Sequence, residues 1–333
     1  MEFVASLTRS ASELNTMLEL WNQHGDERKP FRNIMITPLF MPKSGMKVIE
    51  KWREQDIIEN LYFDSGGFYV QMGRINYLDL YTELLKLYRK QHWADWYILP
   101  DNVPTSGDSE QTTWNKVRDT AEYGRMFFHE LPPQIQQKAI PVVHGFTSEQ
   151  AEYSLDAATQ LETGYLGFGS FSTSGKSSSI NKLTASTYML LSQIIGKVRD
   201  SGFRFHAFGV STPPVLHILR NLNIFSFDSI GWMKTAGFGK VYMPYIRAYN
   251  ITYKDKSAQT ITQYEFDEMK AITGHSCYFC QSFRDLHEKR FHRIMHNLHV
   301  IMDMIYKPYN SETIEYILNR YSPAYASIIK GCQ

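Results

Sequence analysis

Short apolar segments alternate with longer amphipathic segments along most of this chain. Apolar runs of about four to eight residues, bounded by glycine, proline or aspartate, are typical of buried parallel strands. The segments between them carry apolar residues at helical spacing, as Leu80, Leu84 and Leu87 do within residues 77–92. Strand and helix patterns alternate about eight times with short connections, so the sequence predicts an α/β fold, a (β/α)8 TIM barrel.

These patterns divide the chain into three parts. Apolar runs that end in or just before polar residues, glycine or proline lie at residues 34–42, 61–64, 96–101, 140–145, 165–170, 203–210 and 224–228. We expect a helical arm over residues 1–33 and the barrel over residues 34–262. Residues 263–333 read as a helical segment packed on the barrel.

Polar residues and glycines follow most of the predicted strands. They are Asp64, Asp101, His144, Gly169, Ser170, Gly209 and Asp228. In a (β/α)8 barrel the carboxyl ends of the strands meet at one mouth, where active sites are built. We therefore expect these residues to converge on one site, although Asp and Ser at such positions also serve as helix N-caps.

A group of metal-ligand residue types lies near the C-terminus. Its members are His275, Cys277, Cys280 and His296. A Cys-x2-Cys pair with downstream histidines predicts a zinc site, and four protein ligands make such a site structural. His292 and His299 compete with His296, since each lies about one helical turn from it. A redox pair would need a thioredoxin-like strand pattern nearby, which the sequence lacks.

Composition and charge narrow the class of protein. The chain has 333 residues and a net charge of +1, so any nucleic-acid-binding surface must be local. Aromatic residues make up 14% of the chain, which suits flat ligands as well as a core. The three cysteines, with no apolar signal segment and no membrane-length apolar run, predict a cytoplasmic protein.

Five short motifs occur in an order that resembles the tRNA-guanine transglycosylases. The motifs are Thr37–Pro42, Phe63–Phe68, Gly209–Pro213, Phe227-Asp228 and the Cys-x2-Cys pair with Met295–Leu298. Proteins of that family are zinc-carrying (β/α)8 barrels that exchange a guanine for a 7-deazaguanine base. The resemblance covers roughly residues 34–305 and implies the same fold, a structural zinc and base exchange.

The resemblance implies a role for each of three aspartates. Asp228 matches the nucleophile that attacks C1′ of the sugar and holds a covalent intermediate, and Asp64 matches the general acid/base. Asp101 matches the aspartate that binds the guanine edge. The chemistry is sound in itself, because one carboxylate can bond to an oxocarbenium-like carbon while another manages the proton of the base.

Other positions carry over as substrate-binding residues. Phe68 and Phe208 match residues that sandwich the flat base, while Gly169 and Ser170 match a loop whose backbone contacts it. Ser65 belongs to the same motif as Asp64, and His144 stands where the family has a glutamine.

The departures from the family pattern favour a DNA substrate. Residues Ser229–Lys234 replace a cysteine and a Pro-Thr-Arg that helps to grip the tRNA loop, and His275 replaces the first zinc cysteine. This pattern resembles the divergent DNA-guanine transglycosylases of phages and bacterial modification clusters, which place bases such as 7-cyano-7-deazaguanine into DNA. Trp232 is a candidate to stack on or wedge beside the flipped base, or else packs within its loop. A phosphate-binding face is expected from basic residues: Lys234, Lys240, Arg247, Lys254, Lys256, Arg284, Lys289, Arg290 and Arg293.

The resemblance therefore implies a transglycosylase that exchanges guanine in DNA for a free 7-deazaguanine, in a bacterial or phage-infected cell. Three alternatives stay open: a tRNA enzyme with the same mechanism, a non-catalytic binding subunit, and a purine glycosylase or nucleosidase. The presence of both Asp64 and Asp228 argues against the binding subunit. A homodimer or an accessory protein is a further expectation from the family.

Overall fold

The computed structural model describes residues 1–171, 183–210, 212–252 and 260–331. Its main feature is a sheet of parallel strands that curves into a nearly closed barrel. The strands are β1 (Glu2–Ser6), β2 (Asn33–Ile36), β3 (Asn60–Phe63), β4 (Trp96–Ile98), β5 (Ala139–Ile140), β6 (Val142–Val143), β7 (Tyr165–Phe168), β8 (Arg204–Ala207) and β9 (Ser226–Ser229). Their order in the sheet is β5-β4-β3-β2-β1-β9-β8-β7-β6.

Strands β5 and β6 are two halves of one barrel strand that Pro141 interrupts. Proline has no backbone N–H to give to a strand ladder, so pairing breaks there. Its carbonyl still accepts a hydrogen bond from the Gly167 nitrogen at 3.0 Å. β5 pairs with β4 and β6 pairs with β7, so the two halves bring the ends of the sheet together. The α/β class and the barrel-like architecture agree with the expectation from the sequence.

The first strand of the barrel corrects the predicted N-terminal arm. β1 pairs in parallel with β2 and with β9, and Val4 is opposite Asp228 in that second pairing. Residues 2–6 are thus a central strand of the sheet, and only the following helix resembles an arm. A five-residue strand that begins at residue 2 offers too little periodicity to be separated from an irregular terminus.

Helices follow the strands and cover the outside of the barrel. They are α1 (Ala11–His24), α2 (Lys43–Glu54), α3 (Gly67–Gln71), α4 (Tyr77–Tyr88), α5 (Glu110–Glu130), α6 (Pro133–Gln136), α7 (Ser148–Thr159), α8 (Ala185–Val198), α9 (Pro213–Asn221) and α10 (Gly231–Gly237). Ser10, Asn76, Ser109, Thr147 and Thr184 cap five of these helices with side-chain oxygens. Such caps satisfy backbone N–H groups that the first helical turn leaves unpaired.

Two apolar layers stabilise the barrel. The larger layer lies between strands and helices, and includes Ile34, Ile36 and Trp52. A smaller cluster gathers side chains from the seven strands β1 to β7: Val4, Met35, Tyr62, Ile98, Ile140, Val142 and Tyr165. Because side chains alternate across a strand, this second set points to the barrel interior. It closes the floor beneath the mouth of the barrel.

The C-terminal segment packs on the barrel. It contains the antiparallel pair β10 (Lys240–Met243) and β11 (Ile246–Asn250), followed by α11 (Gln263–Thr273), α12 (Phe283–Glu288), α13 (Arg290–Tyr306), α14 (Ser311–Tyr321) and α15 (Pro323–Lys330). Helix α13 contacts α10, β10 and α1, which joins this segment to both ends of the barrel sequence. Within the described ranges, no helix combines the length and the apolar character that crossing a membrane requires.

Candidate active site and metal cluster

A cavity of about 580 Å³ opens at the carboxyl ends of the barrel strands. Three aspartates line it: Asp64 after β3, Asp101 after β4 and Asp228 within β9. Parallel strands place these positions at one end of the barrel, although up to 164 residues separate them in sequence (228 − 64). The convergence predicted for these three residues is therefore what the structure shows.

Asp228 is held by three hydrogen bonds. Its Oδ2 accepts from the Ser6 hydroxyl at 2.6 Å, and its Oδ1 accepts from the Gly209 backbone nitrogen at 2.8 Å. His206 Nε2 lies 3.2 Å from the same Oδ1. Gly209 has a φ of +71°, a conformation that suits glycine and turns its N–H toward the carboxylate. The carboxylate is thereby fixed in one orientation on the cavity wall.

A buried chain of polar groups continues behind Asp228. His206 Nδ1 lies 2.6 Å from the Ser226 hydroxyl, which in turn contacts the hydroxyl of Tyr165. His206 and Ser226 are fully buried. If Nε2–H donates to Asp228, then Nδ1 accepts from Ser226, and every group in the chain has a partner. The chain fixes both the tautomer and the orientation of the imidazole.

Asp64 lies in a different electrostatic environment. Burial raises its pKa to about 7, and the nearby charges of Asp101 and Asp228 act in the same direction. The Thr37 hydroxyl, which donates to Oδ2 at 2.7 Å, opposes this rise. Thr37 is itself held by Thr8, whose Oγ1 accepts from the Thr37 nitrogen at 2.8 Å. A carboxyl group with a pKa near 7 can both give and take a proton at neutral pH.

Asp101 is fixed from behind by a third network. Its Oδ1 accepts from the Ser65 hydroxyl at 2.6 Å, and His144 Nε2 lies 3.0 Å from its Oδ2. His144 Nδ1 lies 2.9 Å from the Ser170 hydroxyl, which also accepts from the Gly145 nitrogen at 2.9 Å. Ser170 therefore donates to Nδ1 and leaves Nε2–H for Asp101. These contacts point the carboxylate into the cavity.

Three residues predicted to contact substrate lie behind the cavity wall. Ser65, His144 and Ser170 are 1%, 0% and 1% exposed, and none of them lines the cavity. Their predicted contact with a base stays a prediction, and in this arrangement Ser65 and His144 meet Asp101, and Ser170 meets His144, and not the open space. Each instead holds Asp101 in place. The sequence shows which residues follow strands but not which side chains turn inward.

Two glycines make room for this arrangement. A Cβ atom on Gly67 would collide with the Asp101 carboxylate, and one on Gly169 would lie 2.6 Å from His144 Cε1. Both contacts would be closer than the packing of side chains allows. Gly169 also lines the cavity, as the sequence predicts. The loop that follows Phe171 lies outside the described residues.

Aromatic rings and cations form the sides of the cavity. Phe68 and Phe208 both line it, as predicted from the sequence, and Phe68 is 37% exposed. Lys234 Nζ lies 4.9 Å from the centroid of the Phe68 ring, within the range of a cation–π contact. Burial lowers the pKa of Lys234, and the charge of Arg9 lowers it further. Flat apolar surfaces beside carboxylates suit a planar heterocycle.

Two residues that the sequence made candidates for nucleic-acid contact are structural. Trp232 is fully buried and donates its indole N–H to the Ser229 carbonyl at 2.9 Å, so it packs within its loop. Arg293 is 1% exposed and donates to the backbone carbonyls of Ala236, Leu286 and His287. Trp232 thus follows the packing alternative, and neither side chain reaches the surface to contact a nucleic acid.

Three of the remaining basic candidates are already paired with acidic residues. Arg284, Lys289 and Arg290 each pair with an acidic side chain at the surface. Exposed pairs of this kind contribute little to stability, but they neutralise the charge that a phosphate would meet. Lys254 and Lys256 lie outside the described residues.

A second cluster lies in the C-terminal segment. The side chains of His275, Cys277, Cys280 and His296 are all buried, and their ligand atoms lie within 4.8 Å of one another. Cys277 Sγ is 3.5 Å from His296 Nδ1. Burial raises the pKa of Cys277, whereas a hydrogen bond from Cys277 lowers the pKa of Cys280. Four such groups around one point could hold a metal ion.

The outer nitrogens of the two histidines are already engaged. His275 Nδ1 lies 2.8 Å from the buried carboxylate of Asp303, and His296 Nε2 lies 2.9 Å from the Tyr242 carbonyl. This leaves His275 Nε2, which is buried without a hydrogen-bond partner in the described structure, and His296 Nδ1. Metal-binding histidines show the same division, in which the second nitrogen donates to a carboxylate or carbonyl. The donor set therefore fits a metal ion.

The structure also separates the competing histidines. His299 lies beside Arg28 and Asp303 and joins a second group with His275, whereas His292 is in neither group. His296 is thus the histidine of α13 that faces both cysteines, as the sequence predicts. Cys332 lies outside the described residues.

Several residues that line the cavity are not predicted as site residues from the sequence. Ser6, Thr8 and Arg9 come from the end of β1, and Thr37 follows β2. The short apolar run Phe3–Ala5 before Ser6, Thr8 and Arg9 is the only signal for these three residues, and it is too short to identify a strand. His206 lies within a buried strand, where nothing in the pattern distinguishes it from a core residue.

Comparison of the sequence with family models and with curated proteins gives no match. The function must therefore be argued from the cavity, the metal cluster and the sequence motifs.

Proposed function

We propose that this chain is a transglycosylase that replaces guanine in DNA by a 7-deazaguanine, through a covalent intermediate on Asp228. The observation that carries the proposal is the convergence of three aspartates with three different environments on one cavity. Separate environments allow separate protonation states, which is how two carboxyl groups divide acid and nucleophile roles.

Asp228 is suited to attack carbon. Its carboxylate is oriented by Ser6, Gly209 and His206, and all three can donate hydrogen bonds to the charged form. In the first step an Asp228 oxygen bonds to C1′ of the target nucleotide as the bond from C1′ to guanine N9 breaks. The electron pair of that bond goes to the leaving base. Hydrogen bonding and orientation favour attack through an oxocarbenium-like transition state.

Asp64 is suited to move the proton of the base. With a pKa of about 7, a large fraction is protonated at neutral pH and can donate to the departing guanine. The resulting carboxylate then takes the proton from N9 of the incoming base, whose nitrogen displaces Asp228 from C1′. One group thereby serves both half-reactions, and no proton is left over.

Asp101 is suited to recognise the base. A carboxylate that accepts from two adjacent N–H groups matches the N1 and exocyclic amine edge of guanine, and 7-deazaguanines share this edge. Ser65 and His144 hold the carboxylate for this task from the side away from the cavity. Phe68 and Phe208 supply flat surfaces for a base that has left the stack.

The choice of DNA rests on the sequence that follows the nucleophile. Residues Ser229–Lys234 lack the Pro-Thr-Arg with which the tRNA enzymes grip their substrate. Contacts outside the base pocket position a polynucleotide, so their loss favours a different one. A tRNA-guanine transglycosylase with the same chemistry is the second candidate, since the three aspartates would serve it equally.

We also propose that zinc binds His275, Cys277, Cys280 and His296. A mixed thiolate and imidazole set is typical of zinc, and four protein ligands leave no position for substrate. The metal would then stabilise the packing of α13 on the barrel and take no part in base exchange.

Incubation with radiolabelled guanine tests the proposal. Duplex DNA, single-stranded DNA and total tRNA are offered in parallel, and label is expected in DNA alone. Asp228→Ala should abolish incorporation, whereas Asp267→Asn, on an exposed face of α11, should leave it unchanged. Label in tRNA alone would show that tRNA, and not DNA, is the substrate, and the proposed mechanism would still stand. Undiminished incorporation by Asp228→Ala would remove Asp228 as nucleophile.

A further inference from the structure

Two cations on the wall of the catalytic cavity lack an acidic partner. Arg9 follows β1, Lys234 lies on α10, and both line the cavity. Within the described part of the chain, neither side chain forms an ion pair or donates a hydrogen bond. This distinguishes them from the surface cations of α12 and α13, which pair with acidic neighbours.

The positive charges of Arg9 and Lys234 also repel each other. The charge of Arg9 lowers the pKa of Lys234, and Arg9 Nε is buried without a hydrogen-bond partner. Like charges that are partly removed from water, together with an unsatisfied charged donor, destabilise the protein that contains them. An anion that contacts both side chains would relieve the repulsion and satisfy the donor.

The neighbouring side chains hold the cations in place. Phe68 lies beneath the Lys234 ammonium. Burial raises the pKa of the Tyr69 phenol, and Arg9 is close enough for its charge to oppose that rise. Arg74, which is exposed on the same wall, lies over Tyr69 at 5.7 Å. The cations form one side of the cavity. The three aspartates of the cavity accept hydrogen bonds from other residues and, in the part of the chain that the structure describes, form no ion pair with these cations.

We infer that Arg9 and Lys234 form a binding site for a phosphodiester group of the nucleotide whose base occupies the cavity. Guanidinium and ammonium groups are the protein groups that recognise phosphate oxygens, the first by a planar fork and the second as a point charge. The identity of the nucleotide rests on the proposed function. The pair supplies the local positive surface that a chain with a net charge of +1 needs for nucleic acid.

Binding of two small ligands tests the inference without catalysis. Wild-type protein is titrated calorimetrically with 2′-deoxyguanosine and with 2′-deoxyguanosine 3′,5′-bisphosphate. The bisphosphate should bind at least about tenfold more tightly, because charge-assisted hydrogen bonds to two cations are gained. Arg9→Gln and Lys234→Gln should each reduce this preference, and the double variant should remove it.

Arg118→Gln is the matched control, since Arg118 also lies over an aromatic ring, at 5.2 Å from that of Trp114, but outside the cavity. It should keep the full preference for the bisphosphate. Because each cavity substitution relieves repulsion, the variants should unfold at the wild-type temperature or above. Equal binding of the two ligands by wild type, or a preference that survives in the double variant, would overturn the inference.

Salt dependence provides a second measurement. Binding of a guanine-containing oligonucleotide is measured at several salt concentrations, and the logarithm of the binding constant is plotted against the logarithm of the salt concentration. Arg9→Gln and Lys234→Gln should each reduce the magnitude of the slope by about one. An unchanged slope in the double variant would count against the site. Base exchange that continues unaltered in the double variant would leave the proposed function standing and sink the phosphate site. A preference for the bisphosphate in a protein that exchanges no base would support the phosphate site and count against the proposed function.

Discussion

His206 Nε2 lies 3.2 Å from Oδ1 of Asp228, and the two residues are 0% and 6% exposed. Together with Ser6 and the Gly209 nitrogen, which lie at the cavity wall, the buried imidazole surrounds the carboxylate with hydrogen-bond donors. The Ser226 hydroxyl holds the other ring nitrogen. An acidic group that must present one oxygen to a carbon atom gains from such support, because its orientation is set before substrate binds.

Replacing His206 should therefore slow the chemical step. His206→Phe keeps an aromatic ring but removes the donor to Asp228, and we expect kcat for guanine exchange to fall by about 10- to 100-fold. The KM for free guanine should change little, since the imidazole does not line the cavity. His206→Gln, which retains a donor, should recover part of the rate. A change in KM alone, or an equal loss in both variants, would contradict a role in orienting Asp228.

The pKa of Asp64 predicts the pH dependence of base release. In the proposed mechanism the protonated carboxyl donates to the leaving guanine, so the single-turnover rate of cleavage should fall as the pH rises through about 7. Thr37→Val removes the hydrogen bond that lowers this pKa, so its basic limb should move to higher pH. A limb that stays in place in Thr37→Val would show that another group controls the rate.

The same group should affect stability. Its pKa in the folded protein, about 7, lies above its usual value of 3.8, so the folded state holds the proton more tightly. Stability from this group is complete below about pH 4 and is lost as the pH rises toward 7.

Asp64→Asn should consequently gain stability relative to wild type between these pH values. Urea unfolding of both proteins at a series of pH values measures the difference. The exposed substitution Asp267→Asn is the control and should follow wild type at every pH. A constant difference between Asp64→Asn and wild type would contradict a raised pKa in the folded state.

The buried cluster predicts about one metal ion per chain. Cys277→Ala with Cys280→Ala should abolish zinc binding, and removal of the metal by a chelator should lower the unfolding temperature. Asp303→Asn should weaken metal affinity by about 10- to 100-fold, because Asp303 accepts from His275. Lys307→Met is its control, since Lys307 contacts Asp303 but not the cluster. Zinc retained by the double cysteine variant would exclude this site.

The sequence by itself determined the class of fold, the three aspartates that lie at the mouth of the barrel, and the residues of the buried histidine and cysteine cluster. Alternating strand and helix patterns suffice for a parallel α/β barrel, because each parallel strand requires a crossover and buries both faces. The barrel rule then places Asp64, Asp101 and Asp228 at one mouth. The Cys-x2-Cys spacing likewise indicates the cluster, since the ligands of such a site are close in sequence.

Only the tertiary structure decided which side chains reach the cavity. A residue after a strand can turn inward, cap a helix or support a neighbour, and these choices depend on contacts between distant strands. His144 and Ser170 accordingly lie behind Asp101. Likewise Trp232 became a core residue, and Arg9, whose neighbour Lys234 is 225 residues away (234 − 9), became part of the cavity. The raised pKa of Asp64 has the same origin, because burial and the approach of two other carboxylates exist only once the barrel has formed.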